Sequence, residues 1–275
     1  MPYRLIVSDL DDTLLNEQGL ISPATFKAVQ AARAAGADIA LASGRMPCAM
    51  RAYARQLNTA LPMISYNGAE LTHPETGEII HQLHVPLTDA LELLRYCEEI
   101  GLHIQAYVDD DFLTPEANEL AASYREMLHN LAGMRVTGQP LSRCVTTAQP
   151  KMLAITTKEQ APEYLKLLRA RFGDRISFTS SKPHYIECVS PLADKGRALL
   201  ALCENLNIRP EEVIAFGDGL NDLPMLKAAG LGCAMANARE EVRAQADLVA
   251  PSNKEDGVAQ VIMQLISEGK IGKGA

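Results

Sequence analysis

Hydrophobic and polar positions along the chain switch repeatedly between two periods, and the switches mark out its elements. The branched apolar run Leu5-Ile6-Val7 reads as a buried strand, and it runs into three acids, Asp9, Asp11 and Asp12. Ser22 offers an N-cap and Pro23 a first helical residue, and an Ala-rich segment then runs to a stop at Gly36. Residues 37–42 predict a second buried strand that ends in Ser43-Gly44-Arg45. A helix is expected over 48–57 and a third strand over 62–66, broken at Asn67-Gly68. Strands alternating with helices through short connections predict a parallel sheet wound by helices.

The pattern then changes. Residues 70–72 and 78–84 flank the turn-rich His73-Pro74-Glu75-Thr76-Gly77 and predict a hairpin. Helical periodicity follows over 88–100, a strand over 103–108, an acidic turn at Asp109-Asp110-Asp111 and a helix over 116–131. Strand, helix, strand and strand are expected over 151–156, 162–171, 176–180 and 185–189. From Asp194 the first pattern returns, with a helix over 195–206 and a strand over 212–216 that stops at Gly217-Asp218-Gly219. A helix over 221–229, a strand over 231–235, a short helix over 240–246, a brief strand at 248–249 and an amphipathic helix over 256–267 complete the chain. The expected organisation is α/β: a doubly wound, Rossmann-like parallel-sheet core made of residues 1–85 and 185–275. A smaller α/β cap, residues 86–184, is inserted into it.

Composition narrows the function. The chain has 275 residues with a formal net charge of -8, which disfavours a nucleic-acid backbone as partner because that affinity rests on clustered Lys and Arg. An anionic small molecule stays open, since one local cation reverses the sign of a site. No apolar run approaches the length of a membrane span, and the first residues lack a signal-peptide pattern. Cys48, Cys97, Cys144, Cys188, Cys203 and Cys233 show no C-x-x-C pair and no short Cys/His spacing, so reduced thiols and a cytoplasmic location are expected.

The chemistry gathers at strand ends. Asp9 and Asp11 follow the first strand, Ser43 the second and Asp218 a later one, while Lys195 opens a helix. In a parallel sheet all of these lie along the carboxyl edge, where ligands bind. Carboxylates converging there raise one another's pKa unless a cation compensates, and a set of hard oxygen donors suits Mg²⁺. A carboxylate attacks phosphorus only when the repulsion from the phosphoryl oxygens is neutralised, which Mg²⁺, Lys195 and backbone N–H groups do together. Each feature also has a plainer reading by itself. Ser43-Gly44 can cap a helix, Gly217 and Gly219 can be turn residues, and Asn221 and Asp222 can be caps. Lys195 can be a solvated lysine, although the helix dipole disfavours a cation at that end.

Taken together the motifs resemble a known family. Asp9-Leu10-Asp11-Asp12-Thr13-Leu14-Leu15 is similar to the D-x-D-x-T-L signature of the haloacid-dehalogenase-like phosphohydrolases. Ala42-Ser43-Gly44-Arg45 resembles their second motif, Asp194-Lys195-Gly196 the third, and Gly217-Asp218-Gly219-Leu220-Asn221-Asp222 the fourth. The resemblance is nearest to the Cof-type branch, which includes cytosolic sugar-phosphate phosphatases. Tyr66-Asn67-Gly68-Ala69, 234–238 and 252–259 support it.

The resemblance implies a phosphatase for small phosphate esters and assigns roles. Asp9 is the expected nucleophile, and Asp11 the acid that protonates the leaving alcohol and then activates water. Ser43, with the backbone of Gly44 and Leu10, would hold phosphoryl oxygens, joined by Lys195 and Asn221. Mg²⁺ would take the Asp9 side chain, the Asp11 backbone carbonyl and Asp218, with Asp222 orienting them. The family often has Thr where Ser43 stands, and either hydroxyl can donate. Arg45 is expected to reach substrate phosphate or to pair on the surface, and 109–111 to be a solvated turn with a second metal site as the alternative. The inserted cap is expected to select substrate and exclude water. Three other functions stay open: a phosphomutase or phosphotransferase with the same nucleophile, a phospho-signalling receiver, and a non-catalytic sugar-phosphate binder.

Overall fold

The computed structural model of the protein describes residues 2–128, 131–180 and 182–272. The chain begins with β1 (Leu5–Asp9), α1 (Pro23–Ala35), β2 (Asp38–Ala42), α2 (Pro47–Gln56), β3 (Met63–Ser65), β4 (Glu70–Thr72) and β5 (Ile79–Gln82). It continues through α3 (Leu87–Glu99), β6 (His103–Val108), β7 (Asp111–Thr114), α4 (Glu119–Met127), β8 (Gly133–Val136), β9 (Met152–Ile155), α5 (Ala161–Phe172), β10 (Ser177–Thr179) and β11 (Tyr185–Val189). The last part is α6 (Lys195–Leu206), β12 (Val213–Gly217), α7 (Leu223–Ala228), β13 (Leu231–Met235), α8 (Glu240–Arg243), β14 (Leu248–Ala250) and α9 (Gly257–Ser267). Two compact units result, Met1–His81 with Asp194–Ala275, and Gln82–Ala193.

The first unit is built on an eight-stranded sheet in the order β14-β13-β12-β1-β2-β3-β4-β5. β1 runs parallel to both β2 and β12, and the parallel pairing extends to β13 and β14 on one side and to β3 on the other. β4 turns back antiparallel to β3. The central strand is apolar on both faces because both faces are covered. Leu5 and Val7 pack with Ala198, Leu199 and Leu202 of α6, whereas Ile6 packs on the other side with Val29 of α1 and Val261 and Ile262 of α9. Such a strand reads as a continuous hydrophobic run, and each fully buried branched residue contributes about 1.5–3 kcal/mol.

Local signals set the helices. Ser22 accepts a hydrogen bond from the Thr25 N–H at 3.0 Å, Pro23 starts α1, and Gly36 ends it in the left-handed region at φ 109°. Asp194 caps α6 by accepting from the Arg197 N–H at 2.8 Å, so Lys195 stands at the first helical position.

The second unit carries a six-stranded sheet in the order β10-β11-β9-β6-β7-β8. α3 and α5 cover one face through Leu93, Leu94, Leu168 and Phe172, packed on Ile104, Met152, Ala154 and Ile186. On the opposite face Lys151 is buried, with its ammonium 3.5 Å from Glu187 and over the Tyr107 ring. β11 pairs with β9 and β10, so the strand over 185–189 belongs to this sheet, and the unit reaches Ala193 rather than ending at the expected 184.

Two short strands differ from expectation. β7 follows the turn at Asp109, whose φ of 55° reverses the chain, and it pairs antiparallel with β6; β8 then pairs parallel with β7. Four residues in an acidic or mixed context carry too little alternation to read as strands. The Asp111 carboxylate accepts two hydrogen bonds from Arg135, at 3.1 and 2.5 Å, so this acid is paired rather than merely solvated. The helix expected over 116–131 is α4, which starts later because Asn118 caps it by accepting from the Ala121 N–H. Residues 129 and 130 of that expectation lie outside the described residues.

Adjacent leucines on α6 give a test of this packing. Leu199 is fully buried between helix and sheet, whereas Leu200 is exposed. Leu199→Ala should lower unfolding free energy by about 2–5 kcal/mol in urea titrations, and Leu200→Ala should shift it by no more than about 0.5 kcal/mol. Equal losses would place the helix on the wrong face.

Candidate active site

The strand ends bring the chemistry together. β1 lies between β2 and β12, with Asp9 level with Ala42 and Ser8 level with Phe216. Because the three strands are parallel, Asp9, Ser43 and Asp218 emerge at the same edge, where the strand order reverses.

Lys195 ties this edge together. Its side chain has no solvent exposure, and its ammonium donates to Asp9 Oδ1 and to Asp222 Oδ1, both at 2.5 Å. A cation at a helix start opposes the dipole, and burial penalises its charge as well. The two carboxylates outweigh both effects and hold the Lys195 pKa above the ordinary lysine range. Asp222 is engaged through its other oxygen too. Oδ2 accepts from the backbone N–H of Asp218 at 3.0 Å and of Gly219 at 2.8 Å, which fixes the 217–222 turn. A Cβ at Gly217 would run into the Asp222 side chain, so that close approach requires glycine.

Negative charge remains in excess. Carboxylate oxygens of Asp9, Asp218 and Asp222 lie within 4.8 Å of one another, with one buried ammonium among them. Burial, partly countered by Lys195 and reinforced by the neighbouring acids, pushes Asp9 well above the usual carboxylate range. Asp218 is pushed up to about 7, by burial first and by Asp222 next, although its Oδ1 accepts a 2.9 Å bond from the Thr13 hydroxyl. A cluster of hard oxygen donors that resists full ionisation fits a divalent cation such as Mg²⁺. Asp9 and Asp218 are the side chains suited to hold it, since both oxygens of Asp222 are already committed to Lys195 and the turn. Among the described residues no other cluster of three such groups is found, and this includes the acidic turn at 109–111.

After β1 the chain makes one wide helical turn, Leu10–Leu14, closed by the Leu15 N–H on the Leu10 carbonyl at 2.9 Å. Asp12 sits in the left-handed region at φ 58°, and its carbonyl accepts from the Asn237 amide at 2.7 Å. Asp12 therefore shapes the turn. This turn sends Asp11 away from the buried cluster, and its carboxylate receives two bonds from Arg45: Nε to Oδ2 at 2.8 Å and Nη2 to Oδ1 at 2.6 Å.

Ser43 is buried, and its hydroxyl accepts from the Arg45 N–H at 3.2 Å. The Ser43 carbonyl accepts from the N–H of Asn67, a residue at φ 58° whose Oδ1 accepts from the Asn221 amide at 3.0 Å. Gly68, at φ 97°, lets its backbone lie against the Asp194 carbonyl; a side chain there would collide with it. The turn after β3 thus connects Ser43, Asn221 and the start of α6.

All the residues singled out from the sequence, Asp9, Leu10, Asp11, Ser43, Gly44, Lys195, Asp218, Asn221 and Asp222, lie in or beside this group of turns at the carboxyl edge. Arg45 is buried rather than on the surface, and its guanidinium is paired with Asp11. Thr13, Asn67 and Asn237 were not singled out as site residues. Thr13 stands inside the acidic motif and Asn67 in an Asn-Gly break, but nothing in their types states which group each will bond.

The pushed-up Asp218 makes the site's stability depend on pH. A carboxyl whose native pKa exceeds its unfolded value adds stability that is complete below the unfolded pKa and is lost as pH rises through the native one. In EDTA, Asp218→Asn should raise Tm, and the gain should grow as pH climbs from about 4 to about 7. Thermal melts showing a pH-independent difference would overturn this account of the cluster.

Comparison with known proteins gives the family. The family model of haloacid dehalogenase-like hydrolases matches residues 6–262. A haloacid dehalogenase-like hydrolase structure from Bacteroides thetaiotaomicron is 31% identical with a TM-score of 0.87, over 96% of this chain and 99% of that one. The putative phosphatase YxeH of Bacillus subtilis is 30% identical over 96% of this chain and 98% of its own. The subclass IIB sugar phosphatase BT4131 is similar at 26% identity with a TM-score of 0.80, over 98% of this chain and 100% of that one. With a family match that spans both the first strand and the last helix, the chain belongs to the haloacid dehalogenase-like hydrolases.

Proposed function

We propose that the protein is a phosphoric monoester hydrolase for small phosphorylated metabolites, sugar phosphates foremost, acting with Mg²⁺ through an aspartyl-phosphate at Asp9. The observation that carries this reading is Lys195, fully buried and shared between Asp9 and Asp222 at 2.5 Å, with Asp218 beside them. A carboxylate held against an ammonium at a sheet edge is suited to meet an anionic phosphoryl group. The similarity to YxeH and to the sugar phosphatase BT4131 supports the reaction class and the substrate class. Among the described residues Cys97, Cys144, Cys188, Cys203 and Cys233 are unbridged thiols, in keeping with a reducing, cytoplasmic setting.

In this mechanism the Asp9 carboxylate attacks phosphorus, the bond from phosphorus to the ester oxygen breaks, and Asp11 gives that oxygen its proton. Asp11, now a carboxylate, takes a proton from water as the water oxygen attacks phosphorus. The bond from phosphorus to Asp9 then breaks and releases inorganic phosphate. The Ser43 hydroxyl, the N–H groups of Leu10 and Gly44 and the Asn221 amide donate to the phosphoryl oxygens, and Lys195 steadies Asp9 throughout. Asp222 keeps Lys195 and the 217–222 turn in place. Asp9, Asp218 and the Asp11 carbonyl would hold Mg²⁺, which when bound would supply positive charge against the phosphoryl oxygens.

Asp9→Asn should lower kcat on an aryl phosphate about 10³-fold or more while the far-ultraviolet circular dichroism stays unchanged. Full activity in this variant would remove Asp9 as nucleophile. EDTA should silence the wild-type enzyme and added Mg²⁺ should restore it; indifference to both would sink the metal assignment. Release of inorganic phosphate, rather than its return to a second sugar position, separates hydrolysis from phosphotransfer.

A further inference from the structure

Arg45 is held more firmly than a residue that only touches a passing substrate needs to be. Its side chain is 7% exposed, although it carries a full charge. Nη1 donates to the Tyr53 hydroxyl at 3.3 Å, the guanidinium lies 5.4 Å from the centre of the Tyr53 ring, and the Tyr53 hydroxyl donates onward to the Gly19 carbonyl at 3.2 Å. Its backbone is fixed as well, with N–H to the Ser43 hydroxyl at 3.2 Å and carbonyl to the Tyr66 N–H at 3.1 Å. Burial disfavours the guanidinium charge, yet the hydrogen bonds and charge of Asp11 keep the Arg45 pKa above its ordinary value. A rigid planar fork is therefore presented to Asp11, and both carboxylate oxygens accept from it, at 2.8 and 2.6 Å.

Asp11 contrasts with this. Its side chain is 53% exposed and stands on an irregular turn, so without Arg45 it would rotate among its rotamers. A carboxylate has about four lone-pair sites, and the fork uses one on each oxygen, leaving one on each to accept elsewhere. We propose that Arg45 is the positioning residue of the second half-reaction: it clamps the Asp11 carboxylate in one orientation as the acceptor of the proton from the water that hydrolyses the aspartyl-phosphate. In that step the water oxygen bonds to phosphorus, its proton passes to Asp11, and the bonding pair between phosphorus and Asp9 returns to the Asp9 carboxylate. The arrangement rests on the phosphatase reading above, and it adds a residue that does not itself touch phosphorus or metal. Orientation of a reacting group is where such a clamp acts, since small misplacements cost large factors in rate.

The test uses 2,4-dinitrophenyl phosphate, whose leaving group needs no proton, so that kcat/KM reports transfer to Asp9 and kcat reports hydrolysis of the phosphoenzyme. Arg45→Met should keep kcat/KM within about threefold of wild type and keep the pre-steady-state burst, while kcat and KM fall together by ~10- to 100-fold. Arg45→Lys should recover part of kcat, because it restores charge without the fork. In an Asp11→Asn background, Arg45→Met should cost nothing further. A raised KM with kcat/KM lost in proportion would make Arg45 a phosphate contact and overturn the proposal, as would full additivity with Asp11→Asn. Should Arg45→Met fail to fold, Tyr53→Phe, which removes one hydroxyl behind the clamp, should lower kcat and KM together by a few-fold; an unchanged kcat there counts against the clamp. Full activity in Asp9→Asn would instead remove the underlying phosphatase mechanism.

Discussion

The buried bond from Lys195 to Asp9 and Asp222 is the interaction on which the remaining site geometry depends. It joins three pieces of chain that are far apart in sequence: the end of β1, the start of α6 and the turn after β12. Removing any partner would leave an uncompensated charge with no access to water, a far larger penalty than the pair itself repays. The bond is thus costly to build and more costly to break, and it fixes where the other acids stand. Asp222 passes that order on by holding the N–H groups of Asp218 and Gly219.

Charge accounting then explains the division of labour among the acids. Lys195 offsets only part of the charge on Asp9, Asp218 and Asp222, and the pKa values of Asp9 and Asp218 are pushed up in consequence. The same surplus that weakens the site without a cation makes it receptive to one. Asp11 lies outside this balance because the Leu10–Leu14 turn carries it to Arg45, where it forms a self-compensated pair. Two carboxylates two residues apart therefore occupy different electrostatic surroundings, which is what separate roles as nucleophile and proton carrier require.

Sequence patterns fared best where a residue type has one dominant physical use. The apolar run of β1 is continuous because both of its faces are covered, and the Ser-Pro start and Gly end of α1 read directly as caps. They fared worst where elements are short or where partners come from elsewhere in the chain. β7 and β8 have four residues each and are held mainly by pairing with their neighbours, so their own periodicity says little. Arg45 illustrates the second case. Its type fits a phosphate contact or a surface pair, and only the fold shows that its guanidinium is buried against Tyr53 and paired with Asp11.

What the sequence by itself determined was the alternation of strands and helices in the core, together with the placing of Asp9, Ser43, Lys195 and Asp218 at element ends. Turn chemistry and periodicity are local properties, and parallel strands bring such ends to one edge whatever lies between them. What only the tertiary structure decided was how the carboxylates are shared out. Asp9 and Asp222 go to Lys195, Asp218 to Thr13, Asp11 to Arg45, and Asp12 to the turn itself. Those assignments depend on side chains that meet from separate elements, 27 to 205 residues apart in the chain, and on how deeply each pair is buried, and the strength of an ion pair is set by that burial rather than by the identity of its members.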